Sequence, residues 1–407
     1  MTTATMPAGR ARTHVNVLMV LGLAHLLNDM MQSLIPAAYP LLKGKYALDF
    51  AQVGMITMTF QIAGSLLQPV VGMVTDRRPA PYSPVAGMMF TLSGLVSLAF
   101  AQSYAVILVS VTLIGIGSSI FHPEATRMAR YAAGGRQGLA QGIFQVGGQA
   151  GGALGPVFAA LVIVPWGQPS LALFAMAALL AMAMLTWIGS RQRRISAEFM
   201  AARPAGSGTG GGDMGAARPR HAPLTIAIGL AVLTLLMFSK NAYSESFRSF
   251  YTFYLIERFG LTIPSAQMML FIFLLASAAG ALIGGIVGDR IGRHRIIWIS
   301  VLGPLPLTLV LPYADLFWTG VLTVSINLIM ASAFASILIY AMELLPGRIG
   351  LIGGLFYGLN FGLAGIAAAI LGGLADSYGV ETVYRLCAFL PLTGLLAWFL
   401  PRIHDGG

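Results

Sequence analysis

Long apolar stretches alternate with short polar ones along the whole chain. Each stretch has about the 17–25 residues that an α-helix needs to cross the hydrocarbon core of a bilayer. A transmembrane barrel would instead show short alternating strands and few long apolar runs. The pattern therefore predicts an all-α membrane protein with twelve transmembrane helices. The predicted helices cover residues 15–39, 52–75, 84–101, 104–126, 137–164, 169–189, 223–255, 264–288, 294–312, 316–342, 348–375 and 381–400.

Two pairs of similar stretches repeat at a nearly constant distance. GRQGLAQGIF begins at Gly135 and GRIGLIGGLF at Gly347, an offset of 212. Asp76 and Asp289 follow similar KYAL and RFGL segments, at an offset of 213. Two matches at nearly the same offset indicate a direct duplication of six helices. The predicted parts are an N-terminal half at 1–190, a flexible cytoplasmic linker rich in Gly, Ala, Pro and Arg at 191–222, and a C-terminal half at 223–407.

The basic residues lie mainly on one side of the predicted membrane. The net charge is +10, and 18 of the 24 Lys and Arg residues fall at the termini and in the even-numbered connections. This asymmetry predicts that both termini are cytoplasmic. It also accounts for the charge without a nucleic-acid partner. Cys387 is the only cysteine, so no disulfide and no Cys-based metal site are expected, and we predict no metal and no cofactor.

The first apolar segment carries a polar stripe, and two later segments carry further polar residues. Ionisable groups inside membrane helices are costly and usually mark a substrate path or a proton relay. The polar residues of the first segment recur at helical spacing, and Asn28 and Asn241 share the 213 offset, so the two halves are predicted to face each other across a central cavity. The predicted path consists of His25, Asn28, Asp29, Gln32, His122, Glu124, Lys240, Asn241, Glu245 and Arg248.

The chemistry of these side chains suggests two roles. Lys240 and Arg248 suit an anionic group, and Lys240 is the preferred ligand because Arg248 has Glu245 three residues before it. Asp29, the deepest carboxylate of the first half, is the leading candidate for the proton carrier, with Glu245, His25 and His122 as the alternatives. The alternative is structural pairing within single helices, of His25 with Asp29, of Glu245 with Arg248, and of Glu124 with Arg127.

The loop GIVGDRIGRHR resembles the loop signature of the major facilitator transporters. The matching residues are Gly285, Asp289, Arg290, Gly292 and Arg293, with His294 in the last place. The first-half copy keeps Gly72, Asp76 and Arg77, but has Pro79 and Pro81 where the pattern has Gly and Arg. The charged residues are predicted to hold the cytoplasmic ends of neighbouring helices, as a gate. An ordinary basic loop remains the alternative.

The fifth segment resembles the drug–proton antiporters of this superfamily. Gly151, Gly155 and Pro156 match their G-x-x-x-G-P core, which is expected to allow close helix contact and a bend where the two halves meet. Plain close packing is the alternative. In the fourth segment, Val111 stands where many of these antiporters carry an arginine. Any proton relay must therefore use other residues.

Three further segments resemble the fosmidomycin resistance protein family of bacterial efflux transporters. They read HLLNDMMQSLIPAAYPLL, IFHPEA and SKNAYSESFRSFYTFYL. The resemblance implies export of fosmidomycin, a small phosphonate antibiotic, in exchange for protons across the bacterial inner membrane, and hence antibiotic resistance. It implies a small anionic substrate, protons and the lipid bilayer as partners, and a monomer is expected.

Three alternative functions are weighed against this export function. The same fold could carry a sugar or an organic-anion metabolite. An ATP-driven pump would need another subunit, because the chain has no G-K-[ST] phosphate loop. A membrane enzyme built on His25 and Asp29 would not need two matched halves, so we expect no enzymatic activity.

Overall fold

The computed structural model describes residues 13–77, 80–134, 136–201, 222–345, 356, 358 and 360–401. Within these ranges, eleven helical segments are long and apolar enough to cross a membrane, and the shorter apolar helix Ser83–Ala99 makes a twelfth. We number the segments α1–α12 in chain order. Their number and positions confirm the predicted all-helical membrane fold.

The helices of the first half follow the predicted segments closely. Some segments begin or end in a turn of another helix type, as in α5, where a π-helical stretch follows the α-helix. Their bounds are α1 Val15–Ala37 with the short helix Tyr39–Tyr46, α2 Phe50–Arg77, α3 Ser83–Ala99, α4 Tyr104–Ala132, α5 Gln137–Phe158 continued by Ala159–Ile163 and Val164–Trp166, and α6 Gln168–Phe174 continued by Ala175–Ala201.

The helices of the second half show more interruptions. Gly303 and Pro304 divide α9, and residues 332–333 divide α10. Their bounds are α7 Pro223–Phe259, α8 Ile263–Ile291, α9 Arg293–Leu302 with Leu305–Val310 and Leu311–Tyr313, α10 Leu316–Ala331 with Phe334–Leu344, α11 Asn360–Tyr378, and α12 Val380–Cys387 with Leu390–Phe399.

One predicted boundary is wrong. The linker was placed at 191–222, but α6 continues to Ala201. Arg194 and Glu198 form an ion pair at 2.9 Å along this extension, and such pairs stabilise exposed helical turns. Residues 202–221 of the predicted linker, and the predicted start of α11 at 348, lie outside the described residues.

Glycines let α5 lie directly against α1 within the first half. A side chain at Gly147 would meet the backbone of Gly22, and one at Gly151 would meet the backbone of Leu26. Small residues at such a spacing allow two helix backbones to approach closely in a membrane. The pair therefore forms a rigid support for the polar stripe of α1.

The two halves meet through two helix pairs that the duplication relates to each other. Helix α2 packs along α11, and α5 packs against α8. In the first pair, Gly54 lies against the backbone of Ala368, and Gly372 lies against the backbone of Phe50. Helix α8 is the repeat of α2, and α11 is the repeat of α5. The two helix pairs are therefore equivalent contacts, one on each side of the interface between the halves.

Hydrogen bonds between the halves gather at the end where α1 joins α2, which we call the closed end. Asp376 accepts from the backbone N–H groups of Phe50 and Ala51 at 2.7 Å each, and Gln267 Nε2 donates to the Ala37 carbonyl at 2.9 Å. The described conformation is therefore held shut at this end.

Candidate transport site between the two halves

Asp29 of α1 lies between two imidazole rings. Its Oδ2 is 3.3 Å from His25 Nε2, one helical turn earlier, and its Oδ1 is 3.5 Å from His122 Nε2 on α4. The two rings stand edge to face, with their centroids 5.2 Å apart. The fold thus joins a predicted i, i+4 pair on α1 to a predicted residue of α4 that is distant in the sequence.

Backbone carbonyls fix the orientation of both histidines. His25 Nδ1 lies 2.7 Å from the Phe144 carbonyl on α5, and His122 Nδ1 lies 2.9 Å from the Ser118 carbonyl on α4. A carbonyl oxygen can only accept, so each Nδ1 must carry the proton. Each Nε2 is left to face Asp29.

Neighbouring side chains complete this cluster. Asn28 Nδ2 donates to Asp29 Oδ1 at 2.9 Å, and Ser118 Oγ donates to Gln32 Oε1 at 3.2 Å. His25 stacks on Phe144 with their ring centroids 3.9 Å apart. His25, Asp29 and Gln32 of the predicted stripe are therefore engaged with α4 and α5 of their own half, and Asn28 with Asp29.

Two of the three side chains are partly exposed. The side chains of Asp29 and His122 are 25% and 27% exposed, whereas that of His25 is 4% exposed. Asp29 and His122 are therefore open to a proton or a small solute, whereas His25 is buried behind its neighbours.

Glu124 lies apart from this cluster. It is buried, and it forms an ion pair with Arg127 one turn further along α4. A buried carboxylate needs such a partner because desolvation of an unpaired charge is costly. The structure therefore agrees with the alternative reading, in which Glu124 and Arg127 are a structural pair within one helix.

The polar residues of α7 separate into buried and accessible positions. Lys240 and Glu245 are each 5% exposed, whereas Arg248 is exposed and Asn241 is half-buried. Among the described residues, Lys240 Nζ has no hydrogen-bond partner. The predicted pairing of Glu245 with Arg248 is absent from the described ion pairs. Instead, Glu245 Oε1 accepts from Ser249 Oγ at 3.1 Å.

A chain of hydroxyl groups connects Glu245 to the first half. Ser249 Oγ lies 3.1 Å from Thr57 Oγ1 on α2, which lies 2.7 Å from the hydroxyl of Tyr39. The face of α7 that carries Glu245 therefore points toward the first half at the closed end. Sequence reasoning missed Tyr39, Thr57 and Ser249, because isolated hydroxyl residues are common in membrane helices and their spacing shows no pattern.

The predicted gate loop is partly described. Gly292 has a φ of 90° and directly precedes α9, a backbone conformation that glycine adopts without steric cost. Arg293 forms an ion pair with Glu343 near the end of α10, so it joins neighbouring helix ends as expected. Arg290 is exposed. The surroundings of Gly285 and the side chains of Asp76, Arg77 and Asp289 lie outside what the structure describes, whereas Gly72 lies within α2.

The glycines of the antiporter motif make contacts other than those expected. Gly151 and Gly155 lie against Leu26 and Ser33 of α1, in the same half, not where the halves meet. Pro156 lies in the last turn before the π-helical stretch Ala159–Ile163, consistent with local disruption of the helix by proline. Close packing of α5 on α1 accounts for these glycines.

Comparison with known proteins gives consistent matches. The sequence model of the Major Facilitator Superfamily matches residues 21–369 and 230–406. The chain is 53% identical over 392 residues to the fosmidomycin resistance protein of Escherichia coli (strain K12), covering 96% of this chain and 94% of that protein. It is 39% identical over 387 residues to the uncharacterized MFS-type transporter YfnC of Bacillus subtilis (strain 168), covering 95% and 92%.

A solved structure shows the same fold at low sequence identity. A crystal structure of a mutant of the nucleoside transporter NupG aligns with a TM-score of 0.70 at 15% identity, over 95% of this chain and 97% of that chain. The match over the full length agrees with twelve helices in two similar halves, and the homologues are membrane transporters and not enzymes. The chain belongs to the major facilitator superfamily, and within it to the family of the fosmidomycin resistance protein.

Proposed function

We propose that this protein exports small phosphonate anions such as fosmidomycin across the bacterial inner membrane, in exchange for protons, and so confers resistance. The observation that carries the proposal is the 53% identity, over nearly the whole of both chains, to the fosmidomycin resistance protein of Escherichia coli (strain K12). The positions of the polar side chains in the two halves support a division of labour between proton and anion.

The proton is carried by the cluster of His25, Asp29 and His122, which we call the α1–α4 cluster. Two imidazoles lie within 3.5 Å of one carboxylate, so a proton bound by one of the three groups interacts directly with the other two. With both histidines protonated and Asp29 ionised, the cluster carries one positive charge. Loss of protons to the cytoplasm makes it neutral or negative, so the charge of the cluster differs between its two protonation states.

The anion is recognised by cationic and N–H groups of both halves. Lys240 Nζ on α7 and Gln32 Nε2 on α1 are buried donors that have no partner among the described residues. A buried ammonium without a partner is destabilising, and a phosphonate oxygen would supply the missing acceptor. Arg248, which is exposed on the same helix, is suited to a first contact with the anion.

The two events are coupled by alternating access. The positive-inside rule places both termini in the cytoplasm, which makes the closed end the periplasmic one. The described conformation then receives its substrate from the cytoplasm. Separation of α2 from α11 and of α5 from α8 at the closed end would release the substrate outside and let protons reach Asp29.

A transport assay tests the proposal. Inverted membrane vesicles that contain the protein and are acidic inside should accumulate labelled fosmidomycin, and a proton ionophore should abolish accumulation. Asp29→Asn should lose the gradient-driven uptake but retain binding. Asp315→Asn is the control, because Asp315 caps α10 by accepting from the Trp318 N–H at 2.8 Å, away from the site. Vesicles that take up no fosmidomycin under any gradient would point to a metabolite as the substrate instead.

A further inference from the structure

We infer that His25, Asp29 and His122 form a binding site for one divalent transition-metal ion, with Zn²⁺ as the best match. The inference goes beyond the proposed transport function, because metal binding by the purified protein requires no particular substrate. Sequence analysis predicts no metal because the chain has only one cysteine; it could not foresee this site, because the two histidines lie on different helices and only the fold brings them together.

The distances fit a four-coordinate ion. The ligand atoms of the three residues all lie within 4.8 Å of one another. The two measured separations from Asp29 oxygens, 3.3 and 3.5 Å, are those to His25 Nε2 and His122 Nε2. Zn²⁺ binds nitrogen and oxygen at about 2.1 Å, so adjacent ligands of a tetrahedral site lie about 3.4 Å apart. These two separations, each to a different Asp29 oxygen, already match this spacing, and side-chain rotation would bring the remaining ligand atoms, at most 4.8 Å apart, around one ion.

The hydrogen bonds around the site prepare both imidazoles for metal binding. The carbonyls of Phe144 and Ser118 hold the Nδ1 protons, so in the neutral rings each Nε2 lone pair points at Asp29. Metal-binding histidines usually donate their other ring N–H to such an acceptor. Lone pairs directed at a carboxylate repel one another unless a cation lies between them, and this cation is either protons or a metal ion.

A glycine and partial exposure leave space next to the ligand atoms. Gly148 of α5 lies directly behind the cluster, where a methyl group would collide with the ring of His25 and come within 2.9 Å of Asp29 Oδ2. Asp29 and His122 are themselves partly exposed. An ion can enter there, and a water molecule can occupy the fourth position.

The donor set determines which ions bind. Two imidazole nitrogens with one carboxylate suit Zn²⁺, Co²⁺ or Ni²⁺, whereas Mg²⁺ and Ca²⁺ prefer all-oxygen sites. A bound ion would occupy the position of the exchangeable protons. We therefore expect Zn²⁺ to inhibit proton-coupled transport, with Mg²⁺ at the same concentration having no effect.

Titration calorimetry on purified, metal-free protein tests the inference. Wild-type protein should bind one Zn²⁺ per chain with a dissociation constant on the order of 1 µM or below. His25→Gln and His122→Gln should each weaken binding by about 100-fold. His14→Gln is the matched control, because His14 also faces a carboxylate, Glu198, at 3.0 Å; its affinity for Zn²⁺ should be unchanged.

A spectroscopic measurement tests the inference even if the glutamine variants fold poorly. Co²⁺ bound to wild-type protein should give the strong visible absorption of a four-coordinate site, and His122→Cys should retain binding while adding a thiolate-to-cobalt band. Absence of Zn²⁺ binding by wild-type protein would overturn the inference. Equal affinity in wild type, His25→Gln and His122→Gln would also overturn it, because the ion would then be bound elsewhere.

Discussion

Asp376 on α11 joins the two halves by capping a helix that belongs to the other half. Its two carboxylate oxygens accept from the backbone N–H groups of Phe50 and Ala51, at 2.7 Å each. These N–H groups lie in the first turn of α2, where they have no intrahelical acceptor and where the helix dipole favours a negative charge. Asp376→Ala is therefore expected to favour the conformation in which this end is open.

The size of the effect follows from the geometry and the exposure. Loss of a capping side chain costs about 0.5–2 kcal/mol. Asp376 makes two short bonds, which raises the expected value, but it is exposed, and solvent screening lowers it again. A cost near 1 kcal/mol changes the equilibrium between closed and open forms by about fivefold.

The labelling rate of an introduced, buried cysteine measures this shift between closed and open forms. Ser249 lies between the halves and is 3% exposed, so a membrane-impermeant reagent should label Ser249→Cys only when the closed end opens. The native Cys387 is buried and is removed as Cys387→Ala. In this background, Asp376→Ala should raise the labelling rate from outside intact cells by about fivefold.

The same helix provides the control. Asp49 Oδ1 accepts from the Gln52 N–H at 2.6 Å, so Asp49→Ala also removes a carboxylate cap from the first turn of α2. Asp49 and α2 belong to the same half, and its loss should leave the labelling rate nearly unchanged. An equal rise in both variants would show that fraying of α2, and not separation of the halves, exposes Ser249. No rise with Asp376→Ala would refute the reasoning altogether.

Two further predictions concern the transport site. Gly148→Ala should abolish proton-coupled uptake, because the added methyl group displaces the α1–α4 cluster. Gly152→Ala should transport normally, because a side chain there would meet nothing within 4 Å. Equal activity of the two variants would show that the cluster tolerates displacement. Lys240→Gln should weaken fosmidomycin binding by about 10- to 150-fold, the loss of a charge-assisted bond of about 1.5–3 kcal/mol, whereas exposed Arg248→Gln should cost less than about 1 kcal/mol. Transport assays in vesicles check the Gly148 prediction, and binding assays in nanodiscs check the Lys240 prediction. Wild-type affinity in Lys240→Gln would exclude the Lys240 ammonium as an anion ligand.

Sequence reasoning located most helices because the energetic constraint is local. Each crossing must satisfy its own backbone hydrogen bonds and remain apolar, so composition alone places α7 from Pro223 and α1 from Val15. The end of α6 was missed, because the helix continues as a charged, exposed extension to Ala201. Such an extension is stabilised by side-chain pairs and not by apolar burial.

The site was only partly predictable for a different reason. The helical spacing of His25 and Asp29 shows that they share a face, but nothing on α1 indicates that this face meets His122 or the Phe144 carbonyl. Such contacts depend on the angles and positions at which the helices cross. Glycines help to set these crossings, but their effect shows only when the helices are packed together. The cap from Asp376 to α2, 326 residues away, could not have been foreseen for the same reason.

The central claim is that the α1–α4 cluster exchanges protons for a phosphonate anion. It is tested most directly in proteoliposomes that contain a trapped pH-sensitive dye and no initial pH gradient. Addition of fosmidomycin outside should make the interior more alkaline with the wild-type protein, as protons leave in exchange for the anion. Asp29→Asn should give no signal although it still binds fosmidomycin. A signal of wild-type size from Asp29→Asn would contradict the account, because protons would then be exchanged without the cluster's carboxylate.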